Sequence, residues 1–578
     1  MATQYVAAPP AAGPPQGDEK PLKDHVSSKV AAQTILRKID EDETFFSWKI
    51  IQTIIAAGGG FMVDAYDLFV IGLLTKLIGR IYYPDALQYA PSDLPNRSNY
   101  ALASVALIGT LVGQLTFGHL ADLFGRKPVH IVTMVIISIA ALCSGMSFGT
   151  TGDAVVGTLC MWRFLLGLGI GGIYPLSATV MSETASTKYR GTYISAVFAF
   201  QGFGFLLAGT VVIILAAIWM PYPDAGDFLW RTAFALASVP PCITLYYRMI
   251  IPETERYEVN VKGDIQTAAK QLGIDNDPTI IKATGLKAKG HTWRSFLDLY
   301  GLPLMGCAFS WFLLDIAFYS QGLFQSDVFS IVGWLPAAYT MNAIEETYRI
   351  ARAQLIISLA SIIPGYWFTV ATIEIMGRTK IQYMGFFFMT LFMGILAGLY
   401  DQLKGEVSNF IALYALTFFF SNWGPNSTTY VLPAEVFPSW FRATAHGICA
   451  ATGKAGAIVG SYGFGILKDT PKHNAGLKTV LIVLTIVNAL GLLTTIPIPE
   501  TKGKTLEELG REGEDMSSMH TEESQDEPSS AQNVSHTSPF KSTDPNGKVT
   551  SNHLKVSSFI LDAWAIRDII TSVTQVTS

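Results

Sequence analysis

Apolar stretches of about 20 residues, each long enough to cross a bilayer core as a helix, recur roughly twelve times along the 578-residue chain. This repetition constrains the fold most, because backbone polar groups in lipid must be satisfied internally and a helix does so within each segment. Composition agrees: 50% of residues are hydrophobic and 15% charged, against about 25% charged in soluble domains, and mean hydropathy is +0.35. A secreted protein, a nucleic-acid binder and a soluble enzyme fit poorly. The formal net charge of −5 leaves no basic face for a polyanion. Cys143, Cys160, Cys242, Cys307 and Cys449 lie far apart in apolar stretches, without metal or redox spacing, so no metal and no cofactor is expected. The predicted fold class is an all-α membrane protein with twelve transmembrane helices in two six-helix halves.

The spans divide evenly. Residues 1–47 are Pro/Ala-rich and then charged, with neither the basic n-region nor the apolar h-region of a cleaved signal, and read as a mobile cytoplasmic tail that buries no core. Six spans occupy 48–251, a charged cytoplasmic loop fills 252–297, six more spans occupy 298–500, and a cytoplasmic, largely disordered tail, Ser/Glu/Asp-rich through about 552, takes up 501–578. The stretch SFILDAWAIRDIITSV near the end is read as either a short interfacial helix or a simple extension. Lys29, Arg37, Lys38, Arg126, Lys127, Lys188, Arg190, the 252–297 loop, Arg378, Lys380, Arg442, Lys502 and Lys504 fall on one side of this layout, which places both termini in the cytoplasm. The opposite side carries Asn96-Arg97-Ser98, a possible glycosylation sequon.

An internal repeat points to the site. Gly125 and Gly377 are 252 residues apart, as are Glu183 and Glu435, and Arg190 and Arg442. Ile251-Pro252-Glu253-Thr254 and Ile498-Pro499-Glu500-Thr501 close the two halves at nearly that spacing. Six spans followed by six related spans is the layout of a rocking transporter whose substrate lies near the midplane between the halves. Asp64 matches Asp315 at 251, Tyr174 matches Asn426 at 252, and Gln201 falls beside Lys454 at 253. Polar groups inside membrane helices are costly and mark function. Each has an ordinary alternative: Asp64, Asp67 or Asp315 capping a helix broken near Gly58-Gly59-Gly60, Gln201 and Asn426 cross-linking helices, Lys454 and Arg163 snorkelling to the interface. Trp311 and Tyr319 share a helical face with Asp315. Asp122, Arg126, Glu183, Arg190, Glu374, Arg378, Glu435 and Arg442 are read as a gate at the basic side. No HExxH, GxSxG or phosphate-loop motif stands on a suitable element, so the chain is not read as an enzyme.

These motifs resemble the proton-coupled inorganic phosphate transporters of the major facilitator superfamily, particularly the plant-type high-affinity branch. The resemblance is carried by FMVDAYDLFVIGLLTKLIGRIYY, GGIYPLSATVMSE, AVFAFQGFG, WFLLDIAFYSQGLFQSDVFS, GPNSTTYVLPAEVFP and FRATAHGICAATGKAGAIVG, and covers about residues 45–508. It implies a major facilitator fold, import at the plasma membrane by alternating access, and phosphate and protons as partners alongside membrane lipid. It assigns phosphate binding to Tyr174, Gln201, Trp311, Asp315, Tyr319 and Asn426, and proton coupling to Asp64, Asp67 and Asp315, with Arg163 and Lys454 as charge partners. One departure stands out. The family pattern Gly-Gly-Asp-Tyr-Pro-Leu-Ser reads Gly171-Gly172-Ile173-Tyr174-Pro175-Leu176-Ser177 here, so an acid tied to coupling and to pairing with Arg163 is replaced by a group that does not ionise. The alternatives are a phosphate sensor or weakly coupled carrier, and a carrier of another solute such as a sugar or glycerophosphodiester. Oligomeric state is not legible.

Overall fold

The computed structural model describes residues 19–41, 45, 47–83, 94–281, 292–468 and 473–510. A leading helix, α1 (Glu19–Asp40), precedes the first six spans: α2 (Trp48–Tyr82), α3 (Asn96–Phe124), α4 (Arg126–Gly145), α5 (Gly152–Thr184), α6 (Arg190–Trp219), and the pair α7 (Gly226–Leu236) and α8 (Val239–Ile250). The second six are α9 (Trp293–Leu323), then α10 (Ala343–Ile357) joined through a π-helical turn to α11 (Ile363–Met376), α12 (Arg378–Gly398), the pair α13 (Val407–Asn422) and α14 (Pro425–Val436), α15 (Arg442–Lys468) and α16 (His473–Thr494). Ten of these segments are long and apolar enough by themselves to cross a membrane. The other two depart for identifiable reasons. One is cut at Trp423-Gly424-Pro425, and α15 is diluted by Thr, Gly, Ser and Lys454.

Small residues set the closest approaches. A Cβ on Gly113 would lie 2.1 Å from the Leu168 carbonyl oxygen and one on Gly171 would lie 2.3 Å from that of Thr110, so α3 and α5 meet backbone to backbone. The break between α13 and α14 strands carbonyls that lipid cannot satisfy. The Thr369 and Ser427 hydroxyls donate to the Asn422 carbonyl oxygen at 2.8 and 2.9 Å, and Pro425 opens α14, where its missing N–H is not needed.

The leading tail differs from the expectation that it buries no core. Ala31, Ala32, Ile35 and Ile39 of α1 are buried against Val259, Ile265, Ala268, Ala269 and Ile280 of the segment between the halves. The Pro/Ala-rich composition of residues 1–18 hides this amphipathic face when the tail is read as one block. Arg256 ties the same region together, pairing with Asp40 at 2.7 Å and Glu507 at 3.0 Å and donating to the Glu183 and Ala185 carbonyl oxygens at the end of α5. Lys282, Lys287, Lys289, the side chain of Asn96 and the SFILDAWAIRDIITSV stretch lie outside the described residues.

Two glycines and two glutamates show the repeat at work. Gly125 and Gly377 adopt φ of 99° and 94°, left-handed values that favour glycine, and turn the chain directly into α4 and α12. The acids of the two closing motifs then cap those helices. Glu253 accepts from the Lys127 N–H at 3.2 Å, and Glu500 accepts from the Arg378 and Thr379 N–H groups at 3.0 and 3.1 Å and the Thr379 hydroxyl at 2.6 Å. Burial raises both carboxyls, and the outcomes diverge: Glu253 stays above its ordinary range, whereas the donors around Glu500, led by the Thr379 hydroxyl, hold it below. A depressed carboxyl stabilises the fold above its unfolded value, and that contribution is lost as pH falls through the folded value. Glu500→Gln should therefore lower stability by about 1 kcal/mol at neutral pH, with the deficit shrinking only as pH falls below about 4, while Glu253→Gln costs less at neutral pH. Thermal unfolding of both variants across pH checks the contrast, and equal losses would refute it.

Candidate functional site

Buried charge collects at the end of the bundle where α4 and α12 begin. Within the first half, Arg126 Nη2 lies 2.9 Å from Glu183 and 3.4 Å from Asp122. Within the second, Arg378 Nη2 lies 2.8 Å from Glu435, and Arg378 Nη1 lies 2.6 Å from Glu374. Two of the ion pairs here cross between the halves, Arg442 to Glu183 at 3.2 Å and Arg190 to Glu435 at 3.1 Å. The remaining acids cross as well. Asp122 accepts from the Thr444 N–H and hydroxyl, both at 2.7 Å, and Glu374 accepts from the Gly191 and Thr192 N–H groups at 2.7 and 3.3 Å. Thr254 donates to Glu183 at 2.5 Å, and Thr501 donates to Glu435. All eight residues read as a gate thus fall into two pseudo-symmetric sets of four, Asp122, Arg126, Glu183 and Arg442 in one and Arg190, Glu374, Arg378 and Glu435 in the other, and the glutamate at the centre of each bridges guanidinium groups of both halves. Glu183, Glu435, Arg126, Arg190, Arg378 and Arg442 are fully buried.

A second buried cluster lies deeper, where α2, α5 and α6 face α9, α11, α14 and α15. Asp64 Oδ2 accepts from the Tyr174 hydroxyl at 2.6 Å and from Gln201 Nε2 at 3.0 Å. Gln201 Oε1 accepts from the Tyr366 hydroxyl at 2.8 Å, and Asn426 Nδ2 donates to the Tyr366 oxygen at 2.8 Å and to Asn422 Oδ1 at 2.7 Å. This chain of bonds runs from the first half into the second. Beside it, Lys454 Nζ donates to Asp315 Oδ2 at 3.0 Å and to the Tyr319 hydroxyl at 2.9 Å. The same ammonium lies 4.9 Å from the Tyr174 ring centroid and 4.5 Å from that of Tyr319, within cation–π range. Trp311 packs 6.1 Å from Tyr174 and 5.6 Å from His446. It fits there because Gly453 has no Cβ: one would lie 2.5 Å from the indole.

Six residues linked to phosphate by resemblance, together with Asp64 and Lys454, therefore converge. Asp67 and Arg163 stand apart from that network. Arg163 Nη2 donates to the Asp67 carbonyl oxygen at 2.6 Å, its Nη1 lies 3.8 Å from the Asp67 carboxylate, and its guanidinium is 5.3 Å from the Phe234 ring. Ile173 lies elsewhere again. Ten residues along α5 separate it from Arg163, about 15 Å at 1.5 Å per residue, so an acid at 173 would not pair with Arg163 directly. Ile173 is fully buried, and together with Met134 it closes on Gly60, where a Cβ would lie 2.9 Å from either side chain. Two polar members were missed in the sequence, Tyr366 and Asn422. Tyr366 stands 252 residues after Gln114, another mid-span polar residue, so extending the repeat comparison to α3 and α11 would have singled it out.

Two related six-helix halves around a buried polar network define a membrane carrier. Among solved structures, the chain resembles the proton:xylose symporter XylE bound to 6-bromo-6-deoxy-D-glucose with a TM-score of 0.63 at 21% identity, covering 80% of this chain and 98% of that one. It also resembles XylE from E. coli in a partially occluded inward-open conformation, with a TM-score of 0.59 at 21% identity, covering 79% of this chain and 100% of that one. At such identity the likeness shows the fold alone, that of the major facilitator superfamily. Residues 52–512 match the sugar (and other) transporter family, and the chain belongs to that family. Its relatives include inorganic phosphate transporter 1-2 of Oryza sativa subsp. japonica, 46% identical over 83% of this chain and 96% of the relative. Low affinity inorganic phosphate transporter 1 of Petunia hybrida is 49% identical over 80% and 92%, and inorganic phosphate transporter 1-4 of Arabidopsis thaliana is 47% identical over 83% and 96%.

Removing one partner from a buried ion pair strands the other, at a cost of about 3–5 kcal/mol. Glu435→Gln and, by the same symmetry, Glu183→Gln should each loosen this end and raise thiol labelling of a Ser439→Cys reporter severalfold. Labelling equal to the parent in both variants would show that the crossed pairs do not hold it shut.

Proposed function

We propose that the chain imports inorganic phosphate together with protons across the plasma membrane by alternating access, with both termini in the cytoplasm. The observation that carries this reading is the hydrogen-bonded path Asp64–Gln201–Tyr366–Asn426, which joins the two halves beside the Lys454–Asp315–Tyr319 cluster. The relatives named as phosphate transporters support the substrate.

Phosphate near neutral pH offers acceptor oxygens and at least one P–OH donor. Tyr174, Gln201, Trp311, Tyr319 and Asn426 can donate to the oxygens, and a carboxylate at Asp315 can accept from P–OH. Charge balance then demands a proton. Lys454 and Asp315 neutralise each other at 3.0 Å, so an anion arriving beside them adds an uncompensated charge in a low-dielectric site. Protonating Asp315 frees the ammonium to face the phosphate. Asp64 is a second acceptor for a proton: Oδ2 takes two donors, while the buried Oδ1 has no hydrogen-bond partner among the described residues. Asp67, whose two buried oxygens likewise have no hydrogen-bond partner among the described residues, serves with Arg163, 3.8 Å away, as a relay set apart from the substrate. A monovalent anion entering a negative interior is opposed by about 2.3 kcal/mol per 100 mV; one proton cancels that opposition, and more than one must accompany the anion for the potential to drive uptake. At the basic end, the crossed pairs of Glu183 and Glu435 act as the cytoplasmic gate.

Asp315→Asn should abolish proton-dependent phosphate accumulation in proteoliposomes while the protein remains folded in the membrane; unchanged uptake removes Asp315 from the mechanism. Competition by arsenate, with little effect of sulfate or glucose, tests the substrate, and collapse of uptake by a protonophore tests the coupling. A second reading, weakly coupled transport or phosphate sensing, is favoured by Ile173, which places an apolar side chain one position before Tyr174. Ile173→Asp should then steepen the pH dependence of uptake, and identical pH profiles in the two forms would sink that reading.

A further inference from the structure

The halves meet again at the opposite end of the bundle, where the charges are arranged differently. Lys76 and Arg80 lie one turn apart near the end of α2 and face the second half. Arg80 Nη1 is 2.9 Å from Glu346, and its Nη2 donates to the Met341 carbonyl oxygen at 2.9 Å. Lys76 Nζ donates to the Ser330 hydroxyl at 3.3 Å and lies between two carboxylates, 3.8 Å from Asp327 and 3.9 Å from Glu346. Lys76, Asp327 and Glu346 are 9%, 9% and 5% exposed. The lysine is held near both acids at distances longer than the 2.7–2.9 Å of a charge-assisted hydrogen bond. With Thr75, Asn99, Ser326 and Asp327 it lines a cavity of about 20 Å³, room for a single water.

The repeat makes this arrangement informative. Lys76 and Asp327 are 251 residues apart, the same offset as Asp64 and Asp315, so equivalent positions carry opposite charges. At the basic end the repeat conserves charge: each half keeps its own Arg–Glu pair, Arg126 with Glu183 and Arg378 with Glu435. Opening that end leaves both faces locally paired. Opening the other end parts two cations on the first half from two acids on the second, so one wall of the mouth becomes positive and the other negative.

We propose that Lys76 and Arg80 form an anion station at the outer mouth, where an incoming small oxyanion takes the place of Asp327 and Glu346. Built on the phosphate reading, this makes the substrate a competitor for the bonds that hold the outer end shut. A positive wall in a cleft of low dielectric also raises the local anion concentration and the rate of encounter.

The test compares the two sides of one ion pair in the full-length protein in proteoliposomes. If the cluster is only a latch, losing either partner has the same consequence. If the cations receive phosphate, Arg80→Gln and Lys76→Gln should raise the external KM, on the order of tenfold, whereas Glu346→Gln should lower it. KM shifts in the same direction for both sides, or no shift, overturn the proposal. A substrate-independent readout separates it from the assigned function. In an Ala103→Cys background, the ratio of labelling by anionic to cationic methanethiosulfonate reagents should fall with Arg80→Gln and rise with Glu346→Gln. If those ratios move while the parent takes up no phosphate, the anion station stands and the phosphate reading fails. Normal uptake with unmoved ratios has the opposite meaning.

Discussion

Glu183 and Glu435 hold this molecule in the arrangement seen. Each is fully buried, each accepts a guanidinium from its own half, and each accepts one from the other half, Arg442 at 3.2 Å and Arg190 at 3.1 Å. A buried carboxylate demands such compensation, since desolvating an ion costs several kcal/mol that only excellent geometry returns. The geometry is supplied by Gly125 and Gly377, which turn the chain so that Arg126 and Arg378 enter helices at the interface. Because the bonds within each half persist when the crossed ones break, the two halves can part at this end without stranding Glu183 or Glu435. The opposite end lacks that protection, which makes the two ends of the carrier electrostatically unequal.

Between the ends, the central network is a problem in charge accounting. Lys454 donates to Asp315 and Tyr319, and one oxygen of Asp64 accepts from Tyr174 and Gln201. Each carboxyl therefore holds a donor that, on the proposed reading, phosphate would also want. Binding on that reading redistributes these bonds, and a proton is the smallest charge that can do so. Ile173 bears on this from an unexpected direction: it packs on Gly60, one helical turn before Asp64, and lies three turns from Arg163. Whatever an acid at that position would contribute, it would act near Asp64 rather than on the Asp67–Arg163 pair.

Much of the site was legible because a duplicated sequence reports each functional position twice. Asp64 and Asp315, Tyr174 and Asn426, and Glu183 and Glu435 stand out by offset alone. Tyr366 did not, since a tyrosine in an apolar span reads as packing until its hydroxyl is seen between Gln201 and Asn426. Asn422 was hidden for another reason, for it becomes a partner of Asn426 only because the helix breaks at Gly424-Pro425. The burial of α1 against the segment between the halves is not legible in the sequence because its partner surface lies more than two hundred residues away.

The sequence by itself determined the number of spans, the two-fold repeat and the residue types inside the membrane. Hydrophobic length, basic-residue bias and a fixed offset are local or periodic properties that need no coordinates. Only the tertiary structure decided which guanidinium meets which carboxylate, that the acids at the basic end bridge the halves, and that Lys76 faces Asp327 across the interface. Pairing between distant segments depends on how helices approach and cross. That approach is set by close packing of small residues such as Gly113 and Gly171, and no offset in the chain encodes it.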